Sequence, residues 1–163
     1  MKKTLAIILT LLTVLSLFGC SSKDYKQGKA VFEKDGITLT LTNAFKETDL
    51  YPILDTHAAY TSGEATVAVF KEKSGEADKL SAKEYADKWR LANVKFSPEP
   101  IKEEKRTVST TYKASFRGEN TIFYTAFYVS DEAFWIVQFF CAEDVYEEYA
   151  PYFAKWAGKI KVS

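Results

Sequence analysis

The chain has 163 residues, with 22 basic and 22 acidic side chains, one His and two Cys. This length is enough for one domain with a substantial core. The balanced charge gives no clustered positive surface of the kind that attracts nucleic acids or anionic lipids. The nearest basic cluster, Lys102 to Arg106, is interrupted by Glu103 and Glu104, so we interpret it as a solvated face.

The start of the chain has the composition of an export signal. Lys2 and Lys3 precede an apolar run from Leu5 to Phe18, which is shorter than the roughly 20 residues that a membrane-spanning helix needs. The run ends in Leu17-Phe18-Gly19-Cys20, which resembles the lipobox of bacterial lipoproteins. The resemblance implies that residues 1–20 are a lipoprotein signal peptide and that a diacylglyceryl group is attached to the Cys20 sulfur. An ordinary cleaved signal with an incidental Cys is the alternative.

Lipid on Cys20 predicts where the protein resides. Two acyl chains hold a protein on a bilayer where one is marginal, because each buried methylene contributes about 0.8 kcal/mol. We therefore expect the chain to be anchored to the cell membrane and to face the extracytoplasmic side. Residues 21–29 are polar and lack a hydrophobic period, which predicts a flexible tether that reaches at most roughly 30 Å. Residues 30–163 are predicted to form a single domain close to the membrane.

Two β-hairpins are predicted at the start of this domain. Val31–Phe32 and Ile37–Thr42 flank Asp35-Gly36, a dipeptide that favours tight hairpin turns. In the second arm Ile and Leu alternate with Thr, which predicts one buried face and one Thr-lined face. The second hairpin pairs Ala58–Thr61 with Ala65–Phe70.

A helix is predicted to begin after Ser81. Ser81 and Glu84 have the spacing of a capping box, in which each side chain accepts a hydrogen bond from the other residue's backbone N–H. Tyr85, Trp89 and Ala92 follow at helical spacing, so we expect them to share one buried face.

Three further strands are predicted over Val108–Phe116, Thr121–Val129 and Ala133–Cys141, with short connections that suit antiparallel hairpins. The last of these is apolar at both odd and even positions. A strand with two apolar faces must be covered on both sides, so we expect it to be central in the sheet.

The chain is predicted to close with a helix from Asp144 to Gly158 and a short edge strand within Lys159–Val162. An apolar stripe supports the helix, and it consists of Val145, Tyr149, Tyr152, Phe153 and Trp156. Four acids at the start of the helix, Glu143, Asp144, Glu147 and Glu148, complement its positive end without any bound cation.

The order of elements and three stretches of sequence resemble the PsbP-like fold, which is found in the extrinsic photosystem II subunit, a small Ran-binding protein and many bacterial lipoproteins. The stretches are Asp35–Leu41 leading to Phe45, Leu80–Ala86, and Trp135–Phe139 followed by Glu147–Phe153. The resemblance implies an α+β fold, in which an antiparallel sheet is sandwiched by helices, and a role as an accessory or binding protein. It carries over no active-site residues. An NTF2-like or cystatin-like α+β fold is the alternative.

Candidate catalytic and metal-binding residues are few. His57 is the only His, and as a base it could pair with Cys141 or a hydroxyl side chain. Cys141 ends a strand with two apolar faces, where a thiol is expected to be buried and inert, and a lone His near Asp55 is typical of an exposed loop. A structural zinc site needs four Cys or His ligands, and after removal of the signal peptide and lipidation of Cys20 only His57 and Cys141 remain. We therefore expect no catalytic site, no cofactor and no metal.

Three functions are compatible with these observations. The leading hypothesis is a membrane-anchored accessory or protein-binding module of the cell envelope, with an unidentified envelope protein as partner and no nucleic acid. The alternative is a carrier of a small apolar or aromatic ligand, since aromatic residues make up 15% of the chain and some could line a groove. A hydrolase that uses His57 is the third and least favoured hypothesis.

Overall fold

The computed structural model describes residues 28–74 and 79–163. The predicted signal peptide, Cys20 and the tether up to residue 27 lie outside the described residues. In the part of the chain that the structure describes, neither α-helix is long and apolar enough to cross a membrane.

Ten strands and two α-helices occur within the described residues. The strands are β1 (Ala30–Lys34), β2 (Ile37–Leu41), β3 (Lys46–Glu47), β4 (Ala58–Thr61), β5 (Ala65–Lys73), β6 (Lys102–Glu104), β7 (Thr107–Phe116), β8 (Glu119–Val129), β9 (Ala133–Ala142) and β10 (Lys161–Val162). The helices are α1 (Ala82–Ala92) and α2 (Tyr146–Ala157), and single 3-10 turns occupy Val94–Phe96 and Glu143–Val145.

The larger sheet is antiparallel and has seven strands in the order β3-β4-β5-β9-β8-β7-β6. Strand β9 is therefore fourth of seven, which confirms that it is central. A second sheet of three strands has the order β1-β2-β10, with β10 paired to β2 as an edge strand. The predicted hairpins are confirmed, and the short outer strands β3 and β6 are additional to them.

The two faces of β9 enter different hydrophobic cores. Trp135, Val137 and Phe139 pack on one face against α2 and the three-stranded sheet. Phe134 and Ile136 pack on the other face against α1. The predicted sandwich is therefore confirmed, because helices cover both faces of the larger sheet. The three-stranded sheet shares one of these sides with α2, which the sequence pattern did not predict.

The capping box at the start of α1 is confirmed. The Glu84 backbone N–H donates to Ser81 Oγ at 3.3 Å, and the Ser81 backbone N–H donates to Glu84 Oε2 at 2.8 Å. The prediction for Ala92 is wrong, because this last residue of the helix is exposed. Tyr85 is buried and Trp89 packs in the same cluster, as predicted, and Ala86 is buried in addition. The contact of the helix with the sheet therefore ends before the helix does.

Replacing Ser81 by Ala is expected to lower the free energy of unfolding by about 1 kcal/mol, because the cap of α1 loses its acceptor. Urea denaturation followed by circular dichroism measures the change. Ser115→Ala is the matched control, since it removes an exposed hydroxyl from β7, and we expect its effect to stay within about 0.5 kcal/mol. Equal effects of the two substitutions would contradict a stabilising role for the cap.

Candidate functional site

A groove of about 360 Å³ lies between the larger sheet, α1 and the loop that precedes β4. We call it the aromatic groove, because aromatic and aliphatic side chains supply most of its surface. Its lining consists of Leu54, Phe70, Glu72, Trp89, Asn93, Phe96, Tyr112, Ala114, Ser115, Phe116, Phe123, Ile136 and Gln138.

The register of β7 and β8 places two rings in the floor of the groove, and β9 adds a third ring that packs against them without lining it. Tyr112 on β7 is opposite Phe123 on β8, and Phe123 is opposite Phe140 on β9. Directly opposed side chains share one face of a sheet, so the three rings form a row across it. The Tyr112 and Phe123 rings stack with centroids 4.9 Å apart, and those of Phe123 and Phe140 are 4.8 Å apart.

The walls come from segments that are distant in sequence from the floor. Trp89 of α1 lies with its ring centroid 5.8 Å from that of Tyr112, and Phe96 of the 3-10 turn is 5.5 Å away on a stacked ring. Leu54, from the loop between β3 and β4, packs against the same cluster. The groove therefore requires the whole α1 side of the domain to be assembled.

A buried polar pair lies in this surface, which is mostly apolar but also includes Glu72, Asn93 and Ser115. The Gln138 side-chain amide donates to the Tyr112 hydroxyl at 2.9 Å, and both residues are buried. Burial raises the pKa of Tyr112 to about 12, although the Gln138 amide opposes part of that shift. The hydroxyl is therefore protonated at neutral pH, and the Gln138–Tyr112 pair presents uncharged hydrogen-bonding groups among aromatic rings.

Exposed apolar side chains occur in the two segments that supply the walls. Tyr51 and Ile53 precede Leu54 and are 74% and 50% exposed. Leu91 and Val94 lie between Trp89 and Phe96 and are each 63% exposed. Exposed apolar side chains in segments that line a groove are candidates for contact with a ligand or a protein partner.

The structure does not bring His57 and Cys141 together. The His57 ring packs edge-on against the Trp135 ring with centroids 5.4 Å apart. Trp135 and Cys141 are six residues apart on β9, which corresponds to roughly 20 Å along a strand. His57 is also partly buried and its Nε2 has no hydrogen-bond partner among the described residues, so the prediction of an exposed loop residue is wrong.

Cys141 is buried and free, as its place on a two-sided strand predicted. Burial raises the pKa of its thiol to about 12, and the nearby Asp144 and Glu64 carboxylates add to the shift. Within residues 28–74 and 79–163, no group of three or more His, Cys, Asp or Glu side chains converges to hold a metal ion.

The raised pKa values predict a loss of stability at alkaline pH. The Cys141 thiol and the Tyr112 hydroxyl stay neutral in the folded state while the unfolded chain ionises near pH 9 and 10. The contribution of these two groups to the free energy of unfolding is therefore fully present below pH 9, and it is lost as the pH rises towards 12. Urea midpoints measured from pH 7 to 11 test this, and Cys141→Ala should delay the onset. A midpoint that does not change with pH would contradict the prediction.

Sequence reasoning suggested that aromatic residues line a groove, but it did not identify which ones. One signal was present in the sequence, since Gln138 is the only strongly polar residue of β9. A single amide in a strand with two buried faces needs a partner, and that partner is Tyr112. No local pattern linked these residues to Trp89 or Phe96.

Comparison with known proteins shows that the fold is similar to that of solved structures. No model of a known family matches the chain, and no curated protein matches its sequence. The solution structure of cyanobacterial PsbP (CyanoP) from Synechocystis sp. PCC 6803 has a TM-score of 0.56 and 11% identity, covering 90% of this chain and 99% of that one. The crystal structure of LpqN, involved in cell envelope biogenesis of Mycobacterium tuberculosis, has a TM-score of 0.50 and 9% identity, covering 90% and 98%. The predicted PsbP-like fold is confirmed.

Proposed function

We propose that this chain, with its PsbP-like fold, is a lipid-anchored binding protein of the cell envelope that holds a small apolar or aromatic ligand in the aromatic groove. One observation carries the proposal: a concave site of about 360 Å³ whose mostly aromatic and aliphatic lining surrounds the buried, hydrogen-bonded pair of Gln138 and Tyr112. Ligand sites are usually mostly apolar, with volumes of about 300–1,000 Å³ and a few polar groups that orient the ligand.

The lining of the groove favours a ligand of particular chemistry. Flat or chain-like apolar groups can pack on the stacked Tyr112, Phe123 and Phe96 rings, whose faces favour offset contact with another ring. A hydroxyl or carbonyl group on the ligand can form a hydrogen bond with the Gln138 and Tyr112 pair. An anionic group is disfavoured, because the lining has no cation among the described residues to offset its desolvation and includes the Glu72 carboxylate.

The proposed location of the protein in the cell envelope has separate support. The lipobox-like sequence that ends at Cys20 predicts export and lipid attachment. LpqN, a structural neighbour, is involved in cell envelope biogenesis. Together they favour a role outside the cytoplasm, on the membrane.

A protein partner is the second candidate function, and the exposed rim favours it. Tyr51, Ile53, Leu91 and Val94 expose apolar surface and are close in sequence to Leu54, Trp89 and Phe96, which line the groove. A partner that covers this rim would bury these side chains and close the groove at the same time.

Photocrosslinking in cells distinguishes the two functions. We place p-benzoylphenylalanine at Phe116, which lines the groove, and at Lys88 on α1, which is exposed and does not line it. The proposal predicts a small-molecule adduct at position 116 alone, identified by mass spectrometry. A protein-sized adduct at position 116 would favour the second candidate, and no adduct at that position would refute both.

A further inference from the structure

A second surface, distinct from the aromatic groove, collects positive charge on the α2 side of the domain. Two adjoining concavities of about 420 and 390 Å³ share Arg106 and Gly158 in their linings. Six exposed cationic side chains surround them, and we call this surface the basic face: Lys29, Lys105, Arg106, Lys155, Lys159 and Lys161.

The charge of the basic face is largely uncompensated. Glu104 is the one acid in the lining of the first concavity, and the lining of the second contains none. None of the six cations takes part in an ion pair among the described residues. Without Lys2 and Lys3 the chain has 20 basic and 22 acidic side chains, so this surface is positive on a domain that is slightly negative overall.

The expectation that positive charge is not clustered is therefore wrong. The six cations come from the segment before β1, the turn between β6 and β7, the end of α2 and the residues that follow it. They are scattered in sequence, and the folding of the larger sheet against α2 brings them together. Of the two acids that interrupt this cluster in the sequence, Glu103 lines neither concavity and Glu104 lines the first.

Helix electrostatics explain only part of this arrangement. Lys155 lies in the last turn of α2, where a cation complements the negative end of the helix. That effect falls off within one turn, and it gives no reason for Lys29, Lys105 or Arg106 to lie at the same surface.

We propose that the basic face lies on the anionic phospholipid surface of the membrane to which the chain is anchored. The inference rests on the proposed lipid attachment at Cys20. Lys29 is nine residues after Cys20, so covalent geometry holds this face within roughly 30 Å of the lipid. Clustered Lys and Arg side chains are attracted to anionic headgroups within a Debye length, about 8 Å at physiological ionic strength, and a tether of this reach lets the face approach to that distance.

This contact would fix the orientation of the domain. Lipid chains alone hold the protein at the membrane without setting its rotation, whereas a second contact on one face does so. No residue that lines the aromatic groove lines the basic face. The groove is therefore free to receive a ligand while the basic face rests on the bilayer.

Lysine footprinting on the anchored protein tests the proposal. The full lipidated protein is reconstituted in vesicles of phosphatidylcholine alone or with phosphatidylglycerol, acetylated, and digested for mass spectrometry. We expect acetylation of Lys105, Lys155 and Lys159 to fall about threefold or more in the anionic vesicles. The protection should disappear at high salt, because screening shortens the range of the attraction. Lys88 and Lys95, on and after α1, are the internal controls and should react equally in both vesicles.

Each outcome separates the two proposals. Vesicle-bound protein whose basic face reacts equally in both vesicle types would overturn this inference and leave the anchor intact. Equal protection of Lys88 and Lys105 would also overturn it, because the contact would then be unspecific. Protein that floats with neither vesicle type would refute the anchor and this inference with it.

Discussion

Replacement of Cys20 by Ala is expected to abolish incorporation of lipid into this protein. The thioether to diacylglycerol forms only on a thiol, and Cys141, the other thiol of the chain, is buried. Without lipid the remaining apolar run, from Leu5 to Phe18, is too short to act as a stable span. The loss of lipid should be complete, since no other accessible thiol is present to take its place, and membrane binding by the two acyl chains should be lost with it.

Metabolic labelling with an alkyne fatty acid measures this directly. The wild-type protein should carry the label on a peptide that begins at Cys20, and Cys20→Ala should carry none. Cys141→Ala is the matched control, because it removes a thiol from the middle of the fold and should keep the full label. Label retained in Cys20→Ala, or absent from the wild type, would refute the proposed anchor.

The fold was largely predictable because its main signals are local. Alternating Ile, Leu and Thr defined β2, and Ser81 with Glu84 defined the start of α1. The most useful segment was β9, whose two apolar faces required cover on both sides and so placed it in the middle of the sheet.

The two candidate surfaces were less predictable because both depend on long-range pairing. The aromatic groove requires Tyr112 to be in register with Phe123, and α1 to bring Trp89 over them. The basic face requires Lys29 and Lys159, at opposite ends of the domain sequence, to meet beside Arg106. The hydrophobic periodicity of one segment does not indicate which distant segments pack together, so it predicts neither the aromatic groove nor the basic face. His57 shows the same limit, since its contact with Trp135 depends on tertiary packing.

The largest effect on ligand binding is expected from filling the aromatic groove. Ala114 on β7 lines the groove and is only partly buried, so a larger side chain at this position can extend into open space. Trp in place of Ala114 would occupy the volume beside Tyr112 and Phe123 without removing any ring from the floor. Substitutions such as Tyr112→Ala would instead create a cavity and lose stability, which would confuse the two effects.

Titration with the fluorescent apolar probe N-phenyl-1-naphthylamine measures the result on the unlipidated chain that begins at residue 21. Ala114→Trp should weaken probe binding about tenfold or more, which corresponds to at least about 1.4 kcal/mol. Ala154→Trp is the matched control, because Ala154 is exposed on α2 and lines the basic face on the other side of the larger sheet. Thermal unfolding should show that both variants keep the fold. If Ala114→Trp binds the probe as tightly as the wild type does, the groove is not the binding site and the proposed function is wrong.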